Sequence, residues 1–300
     1  MTAARSQSTQ DTRGRRRIWT TTLRLAVPDL PPGLVGSRLA FVSDLHEDQL
    51  YVTREELFDA VERAAPRILL LGGDYAANRR NRDAALDLLS ELARRIPTLG
   101  VPGNADHYYR LDLQAARERL RAGGGDLLVN QSRPVELGGA RIEIVGLDDP
   151  EERAVDVDAA LAGLSGAAPF RVALVHSPAA WQVLGGVGAH ILLCGHSHGG
   201  QVRLPGLEAP VTHLSYPARV AAGLFRYREE PRPRVDRLLS HWQILARRRR
   251  PIVASTADGP LMYVSRGVGT AILGVRLLCP PELVLIELHA EEADEAGRQR

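Results

Sequence analysis

Short apolar runs of strand length alternate along the chain with segments of helical period, and several of the runs stop at a glycine, a carboxylate or a histidine. Residues 38–43 (RLAFVS) form one such run, a buried strand ending at Asp44, and residues 53–65 follow with the periodicity of a helix. Thr53 and Glu56 stand at its start with the spacing of a capping box, in which each side chain satisfies a free backbone N–H. Pro66 ends that helix, and residues 67–71 (RILLL) predict a second strand running into Gly72, Gly73 and Asp74. A helix over 81–95 and a strand over 97–101 repeat the arrangement up to Gly103 and Asn104. Asp44, Asp74 and Asn104 therefore recur at 30-residue intervals, which suits two consecutive strand-helix-strand units.

The pattern continues with a helix over 111–121, a glycine break at 123–125, and a hairpin whose strands, 135–137 and 141–145, flank Gly138 and Gly139. Further strands are predicted over 170–175 ending at His176, over 190–194 ending at Gly195 and His196, and over 201–204, 261–265 and 283–288. One layered α/β domain over 18–290 accommodates them, with a disordered basic tail at 1–17 and a solvated polar tail at 291–300. Residues 226–259 depart in composition, with REEPRPR and RRRRP, and read as an insertion. Within it Val235, Leu238, Leu239, Trp242 and Leu245 share one face of an expected helix, followed by Arg247 and Arg248 in an arginine run. Such a helix either packs on its own domain or serves as an interfacial helix or substrate lid, with Trp and Leu at a lipid boundary and arginines at anionic headgroups.

Composition narrows the class. Of 300 residues, 44% are hydrophobic and 25% charged, which fits a soluble globular chain and excludes collagenous, coiled-coil and wholly disordered classes. A net charge of +2 gives no reason to expect specific nucleic-acid binding. All 38 basic residues are arginine, which reads as a compositional bias and not as a functional signal. Two cysteines, Cys194 and Cys279, are too few for a disulfide framework and suit a reducing compartment. No run approaches the roughly 18–20 apolar residues of a membrane span, and the start lacks the apolar centre of a signal peptide. The expectation is a cytoplasmic protein, peripheral on the inner face of the membrane if the 235–245 segment meets lipid.

The groups at the strand ends carry the chemistry. They are Asp44-Leu45-His46, Gly72-Gly73-Asp74, Gly103-Asn104, His176 and Gly195-His196-Ser197-His198. Ligand sites in α/β sheets form beyond the carboxyl ends of the strands, so groups far apart in sequence can converge there. Carboxylate, amide and imidazole are ligands suited to Mn, Fe, Zn or Ni. An Asp-x-His or His-x-His pair on extended chain turns both side chains to one side and can serve one ion or two adjacent ions.

In this order the blocks resemble the calcineurin-like metallophosphoesterases, over about 38–289. GHSHGGQVRLP at 195–205, YVSRGVGT at 263–270 and CPPEL at 279–283 are similar to a branch of small bacterial phosphoesterases, some membrane-associated and some described as UDP-2,3-diacylglucosamine pyrophosphatases. The resemblance implies a four-layer α/β/β/α sandwich and two divalent metal ions. It places Asp44, His46 and His198 on one ion, Asn104, His176 and His196 on the other, and Asp74 as the bridge, with one oxygen toward each ion. Two such ions hold a phosphate oxygen and activate a water for in-line attack. No serine or cysteine nucleophile is then required, and Cys194 is expected to be a buried strand residue.

One position departs from the family pattern. Ala105 stands where the family carries a histidine that contacts phosphate and helps protonate the leaving group. His107 is the candidate substitute acid, and Asp106 is expected to orient the asparagine loop through hydrogen bonds. The implied activity is hydrolysis of a phosphodiester or pyrophosphate bond in a phosphorylated small-molecule or lipid-linked substrate, with a nucleotide-sugar as one class. The alternatives are a soluble cyclic-nucleotide phosphodiesterase, a phosphomonoesterase, and a non-catalytic scaffold on the same fold.

Overall fold

The computed structural model describes residues 17–291 except 154, 165–167, 206, 208, 210–219, 230–233, 248–249 and 273. Two seven-stranded sheets form its frame, and the strands that carry the candidate groups lie near the middle of each.

In the first sheet the order is β12-β1-β14-β2-β3-β4-β5. Its strands are β1 (Trp19–Val27), β2 (Arg38–Val42), β3 (Ile68–Leu71), β4 (Thr98–Gly100), β5 (Asp126–Leu127), β12 (Ile252–Ser255) and β14 (Glu282–Ala290). The run β2-β3-β4-β5 is parallel, and β14 joins it antiparallel to β2. The crossovers are helices α1 (Arg54–Ala64), α2 (Arg82–Ala93) and α4 (Leu113–Arg121); the five-residue α3 (Asn104–Tyr108) follows β4. The 30-residue spacing thus corresponds to β2-α1-β3 and β3-α2-β4.

The second sheet runs β11-β10-β13-β9-β8-β7-β6. It is built from β6 (Gln131–Leu137), β7 (Ala140–Gly146), β8 (Arg171–Leu174), β9 (Ile191–Cys194), β10 (Gly223–Arg228), β11 (Arg234–Ser240) and β13 (Leu261–Val264), with α5 (Val157–Leu161) and α6 (Leu184–Val187) between strands. The β6–β7 hairpin turns at Gly138 and Gly139, whose φ values of +57° and +78° suit glycine.

Apolar runs without alternation are explained by burial on both faces. Leu39 and Phe41 of β2 face a core shared with Ile144, Val172 and Leu193 of the other sheet. Ala40 and Val42 of the same strand pack with Leu57, Val61, Leu88 and Leu89 of the flanking helices. On the second sheet Val145, Ala173 and Leu192 pack outward against Ala160, Leu184 and Val187. The order helix, sheet, sheet, helix is the four-layer sandwich expected from the sequence.

Two expectations are corrected. Residues 201–204 do not form a strand: Gly199, Gly200 and Gln201 have positive φ, and a single bridge joins Val202 to Leu277. The helix expected through Val235, Leu238, Leu239, Trp242 and Leu245 is instead strand β11 followed by the short helix α7 (His241–Ala246). Ser240 and Gln243 form a capping box, which sets the helix start at 241 and leaves the preceding residues extended. A register shift between β10 and β11 turns Val235 toward the outer core and Leu239 toward the inner one, and leaves Leu238 38% exposed. The segment 226–259 supplies strands to both sheets, because β12 pairs with β1 while β11 pairs with β10. Arg248 and the tails at 1–16 and 292–300 lie outside the described residues. Among the described residues no helix is long and apolar enough to cross a membrane.

Candidate metal centre

Five strands end at one place. Asp44 and His46 follow β2, Asp74 follows β3, Asn104 follows β4, His176 follows β8, and His196 and His198 follow β9. The chain leaves these strands in a costly conformation: Asp44, His46, Asp74, His196 and His198 have φ between +43° and +69°, the left-handed region. Such backbone persists in non-glycine residues where the surroundings dictate it, and it concentrates at functional sites.

Glycines make the close approach possible. A Cβ at Gly103 would stand 2.6 Å from the Asp74 nitrogen, and one at Gly267, where φ is +67°, would stand 2.7 Å from the Asp44 Cβ.

Asp44, His46, Asp74 and His198 form a buried group whose potential ligand atoms all lie within 4.8 Å of one another. The Nε2 atoms of His46 and His198 face each other at 3.1 Å. Asp44 Oδ2 and His198 Nδ1 are buried without a hydrogen-bond partner among the described residues. Beside this group, Asn104 Oδ1 lies 3.0 Å from both His176 Nε2 and His196 Nδ1. The two groups meet at Asp74, whose Oδ2 is 3.3 Å from His46 Nε2 and 3.2 Å from His176 Nε2. The other oxygen accepts the Ala105 N–H at 2.8 Å.

His176 Nδ1 lies 2.6 Å from the Gly72 carbonyl, which can only accept, so a proton sits there and Nε2 faces Asp74 and Asn104; burial alone would lower this imidazole, but the Asp74 carboxylate outweighs it and raises the ring well above its ordinary value. Burial, with His46 and Arg276 nearby, pushes His198 well below the ordinary imidazole value and keeps it neutral. Burial alone would raise the Asp74 carboxyl, but the His176 and His46 rings outweigh it and hold the group well below the usual carboxylate range. A buried collection of carboxylate, amide and imidazole acceptors with orphaned atoms fits divalent cations.

The surroundings order this centre. The Asp106 carboxylate accepts backbone N–H groups of Asp74 and Gly103 on Oδ2, at 2.9 Å each, and of Tyr75 and Ala76 on Oδ1, at 2.9 and 3.2 Å. Burial and the Asp74 charge push its pKa up to about 6, against four N–H donors that favour the ionised form. His107 does not line the cavity over the centre; its Nε2 is 2.6 Å from Asp148 Oδ1. Cys194 is a buried residue of β9. The candidate lid residues do not gather over the centre: Leu239 packs on the core between the sheets, and the Trp242 indole donates to the Leu207 carbonyl at 3.2 Å. Leu245 is partly buried on α7, and Arg247 is exposed.

Other residues join the site without a simple sequence signal. Glu151 Oε1 lies 3.3 Å from His196 Nε2 and accepts the Ser177 hydroxyl at 2.9 Å. The backbone of Val268 and Gly269 donates to the Ser43 and Asp44 carbonyls at 3.0 and 2.7 Å, fixing the turn that carries Asp44. A cavity of about 180 Å³ opens over the centre, lined in addition by Gln49, Ala77, Ala105, Tyr109, Ala271 and Ile272.

Comparison with known proteins agrees with this chemistry. Residues 37–200, more than half of the chain, match the family described as calcineurin-like phosphoesterase. The chain is 28% identical to phosphodiesterase YaeI of Escherichia coli (strain K12), over 84% of this chain and 82% of that protein. It is 26% identical to the uncharacterized metallophosphoesterase YkuE of Bacillus subtilis (strain 168), over 86% of this chain and 81% of that one. A second Bacillus subtilis metallophosphoesterase, YkoQ, is 26% identical over 64% of this chain and 72% of its own length. The family match reaches from the strand before Asp44 to the turn after His198 and so takes in all seven converging side chains: the chain belongs to the calcineurin-like phosphoesterases, hydrolases of phosphoester bonds.

Proposed function

We propose that the chain is a phosphodiesterase with two divalent ions, one held by Asp44, His46 and His198, the other by Asn104, His176 and His196, with Asp74 between them. The observation that carries this reading is Asp74 Oδ2 standing between two clusters of inward-facing acceptors. Bound ions would supply positive charge for the phosphate oxygens and a more acidic water. The chain's own part is to hold the acceptors at fixed separation, to keep His198 neutral and to clamp the loops of Asp74 and Asn104 through Asp106. The name of the YaeI relative favours a diester substrate.

The test is hydrolysis of bis-p-nitrophenyl phosphate beside p-nitrophenyl phosphate, on chelated protein reloaded separately with Mn, Fe, Ni and Zn. Metal-restored turnover that favours the diester is expected, and D74N should lose nearly all of it while remaining folded. Failure of every metal to restore turnover, despite two bound ions per chain, would sink the reading.

A lipid-linked phosphodiester or pyrophosphate is the substrate class favoured by one feature of the surface. Leu204, Leu207, Ile272, Val275, Leu277 and Leu278 are 45–76% exposed, on two loops joined by the Val202–Leu277 bridge, and Ile272 also lines the cavity. Exposed apolar side chains grouped on adjoining loops mark interaction surfaces. This rim takes the place of the expected amphipathic helix as the proposed contact with acyl chains or an anionic membrane. Cosedimentation with anionic vesicles, and its loss in I272S/L277S, is the expected outcome; equal activity with and without vesicles and no cosedimentation would exclude it.

A further inference from the structure

We infer that the Tyr109 phenol donates the proton to the departing oxygen in this site, the task left open by Ala105. The inference rests on the phosphodiesterase reading and adds a catalytic residue to it.

The placement follows from α3. The Tyr109 N–H donates to the Ala105 carbonyl at 2.8 Å, one helical turn back, so the two residues lie on the same face. Both line the 180 Å³ cavity over the metal centre together with His46, Asp74, Asn104, His196 and His198. Ala105 offers only a methyl group, and the next residue of that face, Tyr109, lines the same cavity.

The rest of the lining has no competing acid. Among the described residues that line it, the histidines and Asp74 belong to the ligand set, and Ala77, Ala105, Ala271 and Ile272 have no exchangeable side-chain proton. Gln49 carries an amide, which can hydrogen-bond but cannot act as an acid near neutral pH. His107 lies outside the cavity, held by Asp148 at 2.6 Å.

The step balances within the residues and solvent at hand. The attacking water oxygen forms a bond to phosphorus and releases a proton to solvent. The bond from phosphorus to the leaving oxygen breaks with its electron pair, and the Tyr109 proton moves to that oxygen, releasing an alcohol. The phenolate regains a proton from solvent.

General acid catalysis contributes about 10²- to 10⁴-fold, and it matters most where the leaving oxygen is most basic. The test uses full-length, metal-reloaded protein and a series of methyl aryl phosphodiesters whose leaving phenols run from p-nitrophenol to p-methoxyphenol. In Y109F the loss should grow along that series, reaching about 10²-fold at the least acidic phenol. Metal content by elemental analysis should match wild type. Inorganic phosphate added to the loaded protein should perturb the ultraviolet absorbance of a phenol in wild type but not in Y109F.

A loss equal across the series, reduced metal content in Y109F, or an identical phosphate-induced spectrum in both proteins would overturn the assignment. A slope that steepens in H107A and not in Y109F would give the proton to His107 and overturn it as well. Wild-type protein inert toward the whole series would instead remove the phosphodiesterase reading on which the inference stands.

Discussion

Asp106 shows how one buried side chain serves the centre without lining its cavity. Each carboxylate oxygen takes two backbone N–H groups, so an amide at this position leaves two donors facing an NH₂ whichever way it turns. Each buried donor stranded in that way costs about 1–3 kcal/mol, and D106N should therefore lose about 2–6 kcal/mol in urea unfolding. Since two of the donors belong to Asp74 and Gly103, metal affinity should fall by about 10- to 100-fold. His107 supplies a second prediction at this scale. Its hydrogen bond to Asp148 raises the imidazole pKa above its ordinary value, against the opposing effect of burial. A histidine raised by a partner contributes stability fully below about pH 6.5, its unfolded value, and loses it as pH rises through the folded pKa. The melting temperature of H107A should accordingly fall furthest below wild type near pH 6 and approach it as pH rises; a deficit independent of pH would show that the imidazolium is not what stabilises.

At the scale of elements, the strand ends are the best test of what sequence pattern can carry. The segment 226–259 reads as an insertion by composition, yet β12 completes the edge of one sheet and β11 the edge of the other, while β10 covers β13. Replacing 226–259 by a short Gly-Ser linker should yield insoluble or unfolded protein, as judged by circular dichroism; a folded product with a cooperative melt would show the segment to be a dispensable insertion. The contrast with β2, β3, β8 and β9 is physical. Those strands are buried on both faces and so appear as unbroken apolar runs, and the groups they present lie just beyond their last residues. Strand β1 is harder to see because Leu23, Leu25 and Val27 alternate with Thr22, Arg24 and Ala26. In β11 a bulge breaks the alternation, and its apolar positions then imitate a helical stripe. Half of the Thr53–Glu56 capping box forms: Thr53 accepts the Glu56 N–H at 3.2 Å, while Glu56 is drawn away to the Ile18 N–H at 3.1 Å. The chemistry was legible for the seven converging side chains because each follows a buried strand. It was not legible for Glu151, Tyr109 or the 266–269 turn, whose roles depend on how the two sheets meet.

That meeting is held by a buried ion pair at the scale of the whole molecule. Arg266, just past β13 in one sheet, donates to Glu282 of β14 in the other at 2.5 Å, with the two side chains 2% and 1% exposed. Glu282 also accepts the Arg266 N–H at 3.0 Å, the Tyr263 hydroxyl at 2.9 Å and the Thr21 hydroxyl, so β1, β13 and β14 share one carboxylate. From this knot the chain turns through Gly267 against Asp44, and Arg276 pins the turn by donating to the Arg266 carbonyl at 2.7 Å and, from Nε, to the Gly269 carbonyl at 2.9 Å. Packing of the sheets and placement of a proposed metal ligand thus depend on the same few atoms. Removing one partner of a buried pair strands the other charge, at a cost of about 3–5 kcal/mol, whereas replacing both by apolar groups is often neutral. R266M should therefore lower stability by about that amount in urea unfolding of metal-free protein and weaken metal binding in the same preparation. R266M/E282L should recover part of the stability, the Tyr263 and Thr21 hydroxyls being left without their acceptor. If R266M melts as wild type does while metal affinity still falls, the pair positions the Asp44 turn without tying the sheets together; if stability falls and affinity holds, the tie is structural and the Asp44 turn is kept by its own backbone bonds to Val268 and Gly269.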